Sequence, residues 1–96
     1  MVGNGTESAE ARLKRMRMRS WRRGTKEMDL VLGPWADARL AGLSAAELEV
    51  YDALLGENDQ DIFPWILGTQ PCPERYAALI AEVADFARRR MESAAL

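Results

Sequence analysis

The sequence predicts an all-α fold, a small single-domain bundle of about five helices, on three observations. Apolar residues recur at helical spacing along most of the chain, and no stretch alternates in the manner of a strand. Glycine, proline and capping residues interrupt that pattern at intervals that leave short loops between helices. The 96 residues suffice for one hydrophobic core and are too few for two. With 48% hydrophobic and 29% charged residues, the composition is that of an ordered globular domain.

Residues 1–7 read as a flexible tail and 8–96 as the helical domain. Ser8 is a candidate N-cap for a first helix running to Arg23. On that helix Arg12, Arg15, Arg19, Arg22 and Arg23 gather on one side, and Leu13, Met16, Met18 and Trp21 spread over the other. Gly24 can take the left-handed position that ends a helix, and Thr25 can cap the next one. Glu27 and Asp29 then fall in its first turn, where the helix dipole favours acids. The second helix carries Met28, Val31, Leu32 and Trp35 on one face. Gly33-Pro34 lies inside it, and because the apolar pattern continues to Leu40, the expectation is one kinked helix and not two.

Ser44-Ala45-Ala46-Glu47 is a capping box, with Leu43 and Leu48 placed as its hydrophobic staple. The third helix turns Leu48, Tyr51, Leu54 and Leu55 inward and stops at Gly56. An acidic loop follows, and Asp61 is expected to cap a fourth helix with Pro64 in its first turn and Gly68 at its end. Pro73 is expected to open the fifth helix, whose inward stripe is Tyr76, Leu79, Ile80, Val83, Phe86 and Ala87.

The inventory of side chains argues against catalysis. The chain contains no histidine and a single cysteine, Cys72, so no zinc site of ordinary type and no intrachain disulfide can form. Asp59 and Asp61 could pair as carboxylates, but acids just ahead of a helix are usually caps. Nothing in the sequence has the length and apolarity of a membrane span, so membrane insertion is not expected. The N-terminus lacks the apolar core of a signal peptide, and a cytoplasmic location is preferred, with the mitochondrial matrix as the eukaryotic equivalent.

Charge is distributed unevenly although the net charge is only −2. Eight of the thirteen basic residues lie between Arg12 and Lys26, and nine acids lie between Glu27 and Asp61 with Arg39 as the only base among them. A basic first helix could track phosphates, which makes a nucleic-acid binding module the alternative reading. The acidic middle would repel the same backbone. A solvated charged face is the plain expectation, and attachment to an acidic protein surface fits better than attachment to nucleic acid.

Two stretches carry a resemblance. Arg23-Gly24-Thr25-Lys26-Glu27, followed by Asp29 and by Pro34-Trp35, has the Arg-Gly-x-x-Glu pattern. Asp59-Gln60-Asp61-Ile62-Phe63-Pro64-Trp65-Ile66 supplies a second signature in register. Together, from about Trp21 to Gly68, they resemble the succinate dehydrogenase flavinylation factor family. The resemblance implies an assembly factor, not an enzyme, that binds the flavoprotein subunit of succinate dehydrogenase, and of the related fumarate reductase, and promotes covalent attachment of FAD to it. It implies partner-binding roles for Arg23, Gly24, Glu27 and Asp29, and more loosely for Asp61, Phe63 and Trp65. Phe63 and Trp65 are expected to serve the core first. The chain is expected to be a monomer with no tight site for FAD alone, since no Gly-rich loop leads from a strand into a helix.

Overall fold

In the computed structural model, which describes residues 7–95, five α-helices follow one another: α1 (Ala9–Trp21), α2 (Lys26–Arg39), α3 (Ala45–Leu55), α4 (Asp59–Leu67) and α5 (Glu74–Ala95). A 3-10 turn, Leu40–Gly42, closes α2. No strand occurs among the described residues. The expected tail lies outside them except for Glu7, whose carboxylate accepts from Arg15 Nε at 2.9 Å.

The caps form where the sequence places them. Ser8 accepts from the Ala11 amide at 3.0 Å, and Thr25 accepts from the Met28 amide at 3.3 Å. At Ser44 both halves of the capping box close, with Glu47 accepting the Ser44 amide at 2.8 Å and Ser44 accepting the Glu47 amide at 3.1 Å. Each satisfies amides that the first helical turn otherwise leaves unpaired. Gly68 ends α4 in the left-handed region, at φ +77°.

Four expectations need correction. First, α1 ends at Trp21, two residues earlier than expected, because Arg22 leaves the helical region at φ −129°. Second, α4 begins at Asp59 with Asn58 in the N-cap position, so Asp61 lies within the first turn and is not the cap. Third, that earlier start moves Pro64 inside the helix, beyond the first turn. Fourth, Pro73 precedes α5, which begins at Glu74, and the Pro73 carbonyl accepts from the Tyr76 amide at 3.0 Å.

Helix α2 does run unbroken through Pro34. Gly33 serves packing: a Cβ there would fall 2.3 to 2.6 Å from the Trp21 ring, which lies directly on the glycine. The Trp21 indole N–H donates to Asp37 at 3.2 Å and fixes the ring along α2.

The core is formed by Met16 of α1, Met28, Leu32, Trp35 and Ala36 of α2, Tyr51, Leu54 and Leu55 of α3, and Ile62 of α4. The α5 stripe from Tyr76 to Val83 completes it. Helices α1 and α2 pack as a hairpin, while α5 lies against α2, α3 and α4. Inside, the Tyr51 ring tilts at 45° against Trp35, 4.8 Å between centroids. The Tyr51 hydroxyl pairs with Ser20 at 2.6 Å, and the Ser20 hydroxyl also meets the Met16 carbonyl at 2.8 Å. Burial pushes the Tyr51 phenol up to about 12 despite the Ser20 hydrogen bond, which keeps it neutral at all ordinary pH.

The basic face of α1 stays partly solvated, but several of its arginines are also engaged within the fold. Arg15 donates to both Asp52 oxygens at 3.0 Å, and Arg12 adds a contact at 3.6 Å, binding α1 to α3. The Arg15 hydrogen bonds hold the Asp52 carboxyl below its ordinary value of 3.8. A lowered folded-state pKa means that this contribution is present above that value and is lost as the pH falls through the folded pKa. Asp52→Asn should therefore flatten the acid limb of stability against pH below about 4, read by thermal melting from pH 7 to 2. Leu54→Ala, at a fully buried position, should cost about 2–5 kcal/mol in urea unfolding.

Candidate functional site

The corner between α1 and α2 is built around Arg23. Its backbone N–H donates to Asp29 Oδ1 at 2.6 Å, tying the exit of α1 to the first turns of α2. Having left the helical path, the side chain reaches inward to the junction of α3 and α4. Nη1 donates to the Leu55 carbonyl at 2.7 Å and Nη2 to the Glu57 carbonyl at 2.9 Å. Nε and Nη2 both meet Asp59 Oδ1, at 2.9 and 2.8 Å. Only 8% of the Arg23 side chain is exposed. Arg19 Nη2 donates to the same Leu55 carbonyl at 2.9 Å, so two guanidiniums sit where the α3 dipole is negative.

The two signatures are thus one structure, joined by an ion pair across 36 residues of sequence. Asp59, the first acid of the second signature, reads in the sequence as a cap or a carboxylate partner of Asp61, and its pairing with Arg23 is the part of the site that the sequence does not mark. Glu57, whose carbonyl receives Arg23, also accepts from the Tyr76 hydroxyl at 2.8 Å, and Tyr76 stacks on Trp65 at 5.8 Å. Trp65 and Phe63 are half-buried against the core. They do not line the corner.

Gly24 stands at φ +108°, with nothing within 4 Å of where a Cβ would be, so its backbone faces open space. Glu27 is exposed, and its side chain makes no hydrogen bond or ion pair among the described residues. Asp61 is likewise exposed and is not drawn into the corner. Of the residues expected at the site, Arg23, Gly24 and Asp29 come together with Asp59. Glu27 flanks them at the start of α2, and Asp61, Phe63 and Trp65 lie elsewhere on α4. An open depression of about 590 Å³ separates the two walls, Arg19 to Thr25 on one side and Glu57 to Gln60 on the other. It is a groove between charged loops, open on one side.

Fold and site define an all-helical module whose two signatures meet at one rigid, charged corner. The family described as the flavinator of succinate dehydrogenase matches residues 14–87, and the chain belongs to that family. The chain is 40% identical over 75 residues, 78% of its length, to succinate dehydrogenase assembly factor 2, mitochondrial, of Mycosarcoma maydis. It is 42% identical over 74 residues to the protein of the same name in Yarrowia lipolytica, and 35% over 89 residues to that of Candida glabrata. Those alignments cover 32%, 51% and 58% of the three relatives, so the chain spans about half the length of the proteins it matches. The match extends well beyond the stretch from Trp21 to Gly68 that carries the two signatures. These relatives are named as mitochondrial, which gives the expected cytoplasmic preference no support. Nothing in the comparisons favours the nucleic-acid alternative, and the arginines that would track phosphates are largely engaged within the fold.

Arg23→Ala strands Asp59 and the Glu57 carbonyl in a largely buried site, the Leu55 carbonyl keeping Arg19, and should destabilise the protein by about 3 kcal/mol. Gly24→Ala meets no atom and should cost only the strain of positive φ, about 1–2 kcal/mol. Urea unfolding followed by circular dichroism checks both the size and the order of the two effects.

Proposed function

We propose that this chain binds the flavoprotein subunit of succinate dehydrogenase, and of the related fumarate reductase, and promotes covalent attachment of FAD to that subunit. It acts as a monomeric assembly factor and performs none of the bond-making itself. Membership of the flavinator family supports this reading, and the observation that carries it is the fusion of the two signatures into a single corner. Flavin attachment requires a nucleophilic side chain of the partner, a histidine, to meet the isoalloxazine in a near-attack geometry. A rigid corner that grips the partner can hold its segments in that arrangement.

The corner divides the work among its residues. Arg23, Asp29 and Asp59 hold the loop in shape through bonds that are already made. Gly24 and Glu27 are left to contact the partner: the glycine lets a backbone approach closely, and the glutamate offers a charged acceptor. The open groove has no loop to cradle a pyrophosphate, so FAD is handled as part of the partner and not as a tight ligand of this chain. The compartment is then the one in which that subunit matures, the mitochondrial matrix or the bacterial cytoplasm.

Titration calorimetry with FAD alone and with the purified flavoprotein subunit tests the reading. FAD alone should show no binding in the micromolar range, whereas the subunit should bind and gain covalent flavin fluorescence. Glu27→Ala should leave the melting temperature nearly unchanged and weaken subunit binding by roughly tenfold or more, the loss of one charged hydrogen bond at a dry contact. Tight binding of free FAD, or unaltered flavinylation with Glu27→Ala, would overturn it.

A further inference from the structure

Among the described residues, three of the five exposed large hydrophobic side chains stand together beside the corner: Met18 at 43%, Trp21 at 37% and Leu30 at 50%. Met18 and Trp21 are one turn apart on α1. Leu30 lies on α2 three residues after Glu27 and three before Gly33, on the face opposite the buried Met28, Leu32 and Trp35. The Trp21 ring lies on Gly33, one turn along α2 from Leu30, which sets the α1 members and Leu30 along one side of the helical hairpin as a ridge.

Covering a hydrophobic core does not account for this ridge. Its side chains point outward, and α2 gives up a side chain at position 33 to seat an indole that remains one-third exposed. The ring is also held in place: its N–H donates to Asp37, which Arg17 contacts at 3.7 Å. A tryptophan immobilised before binding loses little entropy on binding, which is the property of an interface anchor. The bases around the ridge, Lys14, Arg22 and Lys26, make no side-chain hydrogen bond or ion pair among the described residues. The Arg17–Asp37 pair cancels, and against the exposed Glu27 these three bases leave the surroundings of the apolar patch net positive.

We infer that the Met18–Trp21–Leu30 ridge is the apolar half of the docking surface, and that it receives an apolar patch ringed by carboxylates on the flavoprotein subunit. The inference rests on the reading that Glu27 and Gly24 contact that subunit. A stable protein interface covers roughly 800 Å² of each partner, far more than a glycine and a glutamate supply, and the ridge begins one turn from Glu27. The apolar contact supplies affinity, and the basic rim steers encounter with an acidic surface.

The test is titration of the flavoprotein subunit with wild type, Met18→Glu, Leu30→Glu, Glu27→Ala and Met91→Glu, at low and at moderate salt. All four substituted positions are exposed, so melting temperatures should stay close to wild type and report any loss of fold. Met18→Glu and Leu30→Glu should each weaken binding by roughly tenfold or more. Met91→Glu, at the far end of α5, should bind as wild type does. Wild-type association should also slow markedly as salt rises. If only Glu27→Ala weakens binding, the corner stands and the ridge is overturned. If wild type does not bind the subunit at all, both fall together. If sedimentation shows wild type self-associating and Leu30→Glu abolishing that while subunit binding is untouched, the occupant is a second copy and the proposal is wrong.

Discussion

The guanidinium of Arg23 is the constraint on which the shape of this molecule depends. A planar fork with several fixed donors can satisfy the last carbonyl of α3, a carbonyl of the following loop and a carboxylate of α4 at once. A lysine ammonium, a point charge on a flexible stem, cannot match that arrangement. The contact is nearly dry, with Arg23 and Asp59 at 8% and 17% exposure, so each charged hydrogen bond is stronger than it would be on the surface. The same dryness makes the assembly intolerant: removing the guanidinium leaves Asp59 and the Glu57 carbonyl without the donor that satisfies them. The α1–α2 corner and the α3–α4 corner are therefore coupled, and neither is free to adjust alone.

The uneven charge of the chain follows from the same arrangement. A basic first helix and an acidic middle are attracted to each other within the fold before either meets a partner. Arg12 and Arg15 meet Asp52, Arg19 meets the α3 terminus, and Arg23 meets Asp59. The outer pairs are about one-third exposed and individually contribute little. Their joint effect is register: they set α1 against α3 at one rotation, so that Met16 faces the core and Arg23 faces the junction. With the arginines so engaged, the residual positive charge lies on Lys14, Arg22 and Lys26, on the outer side of the hairpin.

What was legible in the sequence is what local chemistry decides. Ser8, Thr25 and Ser44 cap helices because a short oxygen-bearing side chain reaches an amide three residues on, and no distant residue is needed. The inward stripe of α5 was equally plain, since a single face carries it. The start of α4 was not, because Asn58, Asp59 and Asp61 are all acceptable N-caps. Asp59 is claimed by Arg23 from 36 residues away, and that recruitment fits a helix begun before Asp61. Gly33 beside Pro34 reads locally as a kink, whereas its use is to seat an indole from another helix. At the site, the motif could be found by resemblance. The inward direction of its arginine could not, since an arginine in a basic run carries no mark of burial.

That inward direction alters what the Arg-Gly-x-x-Glu pattern means physically. If every member touched the partner, the loop would have to be ordered at the moment of binding, at a cost drawn from the interaction itself. Here the arginine and the acids Asp29 and Asp59 have already fixed the backbone, and Gly24 is held at a φ that an L-side chain resists. In the reading proposed above, the partner would meet a bare stretch of main chain at Gly24 and a glutamate side chain, unpaired among the described residues, borne on a backbone already in place. A side chain at Gly24 would lie in open space, and so its harm to docking would come from standing between two surfaces and not from disturbing this one. On the proposed reading, structural and recognition roles are separated residue by residue within one five-residue motif, and substitutions in it should then divide cleanly between lost stability and lost binding.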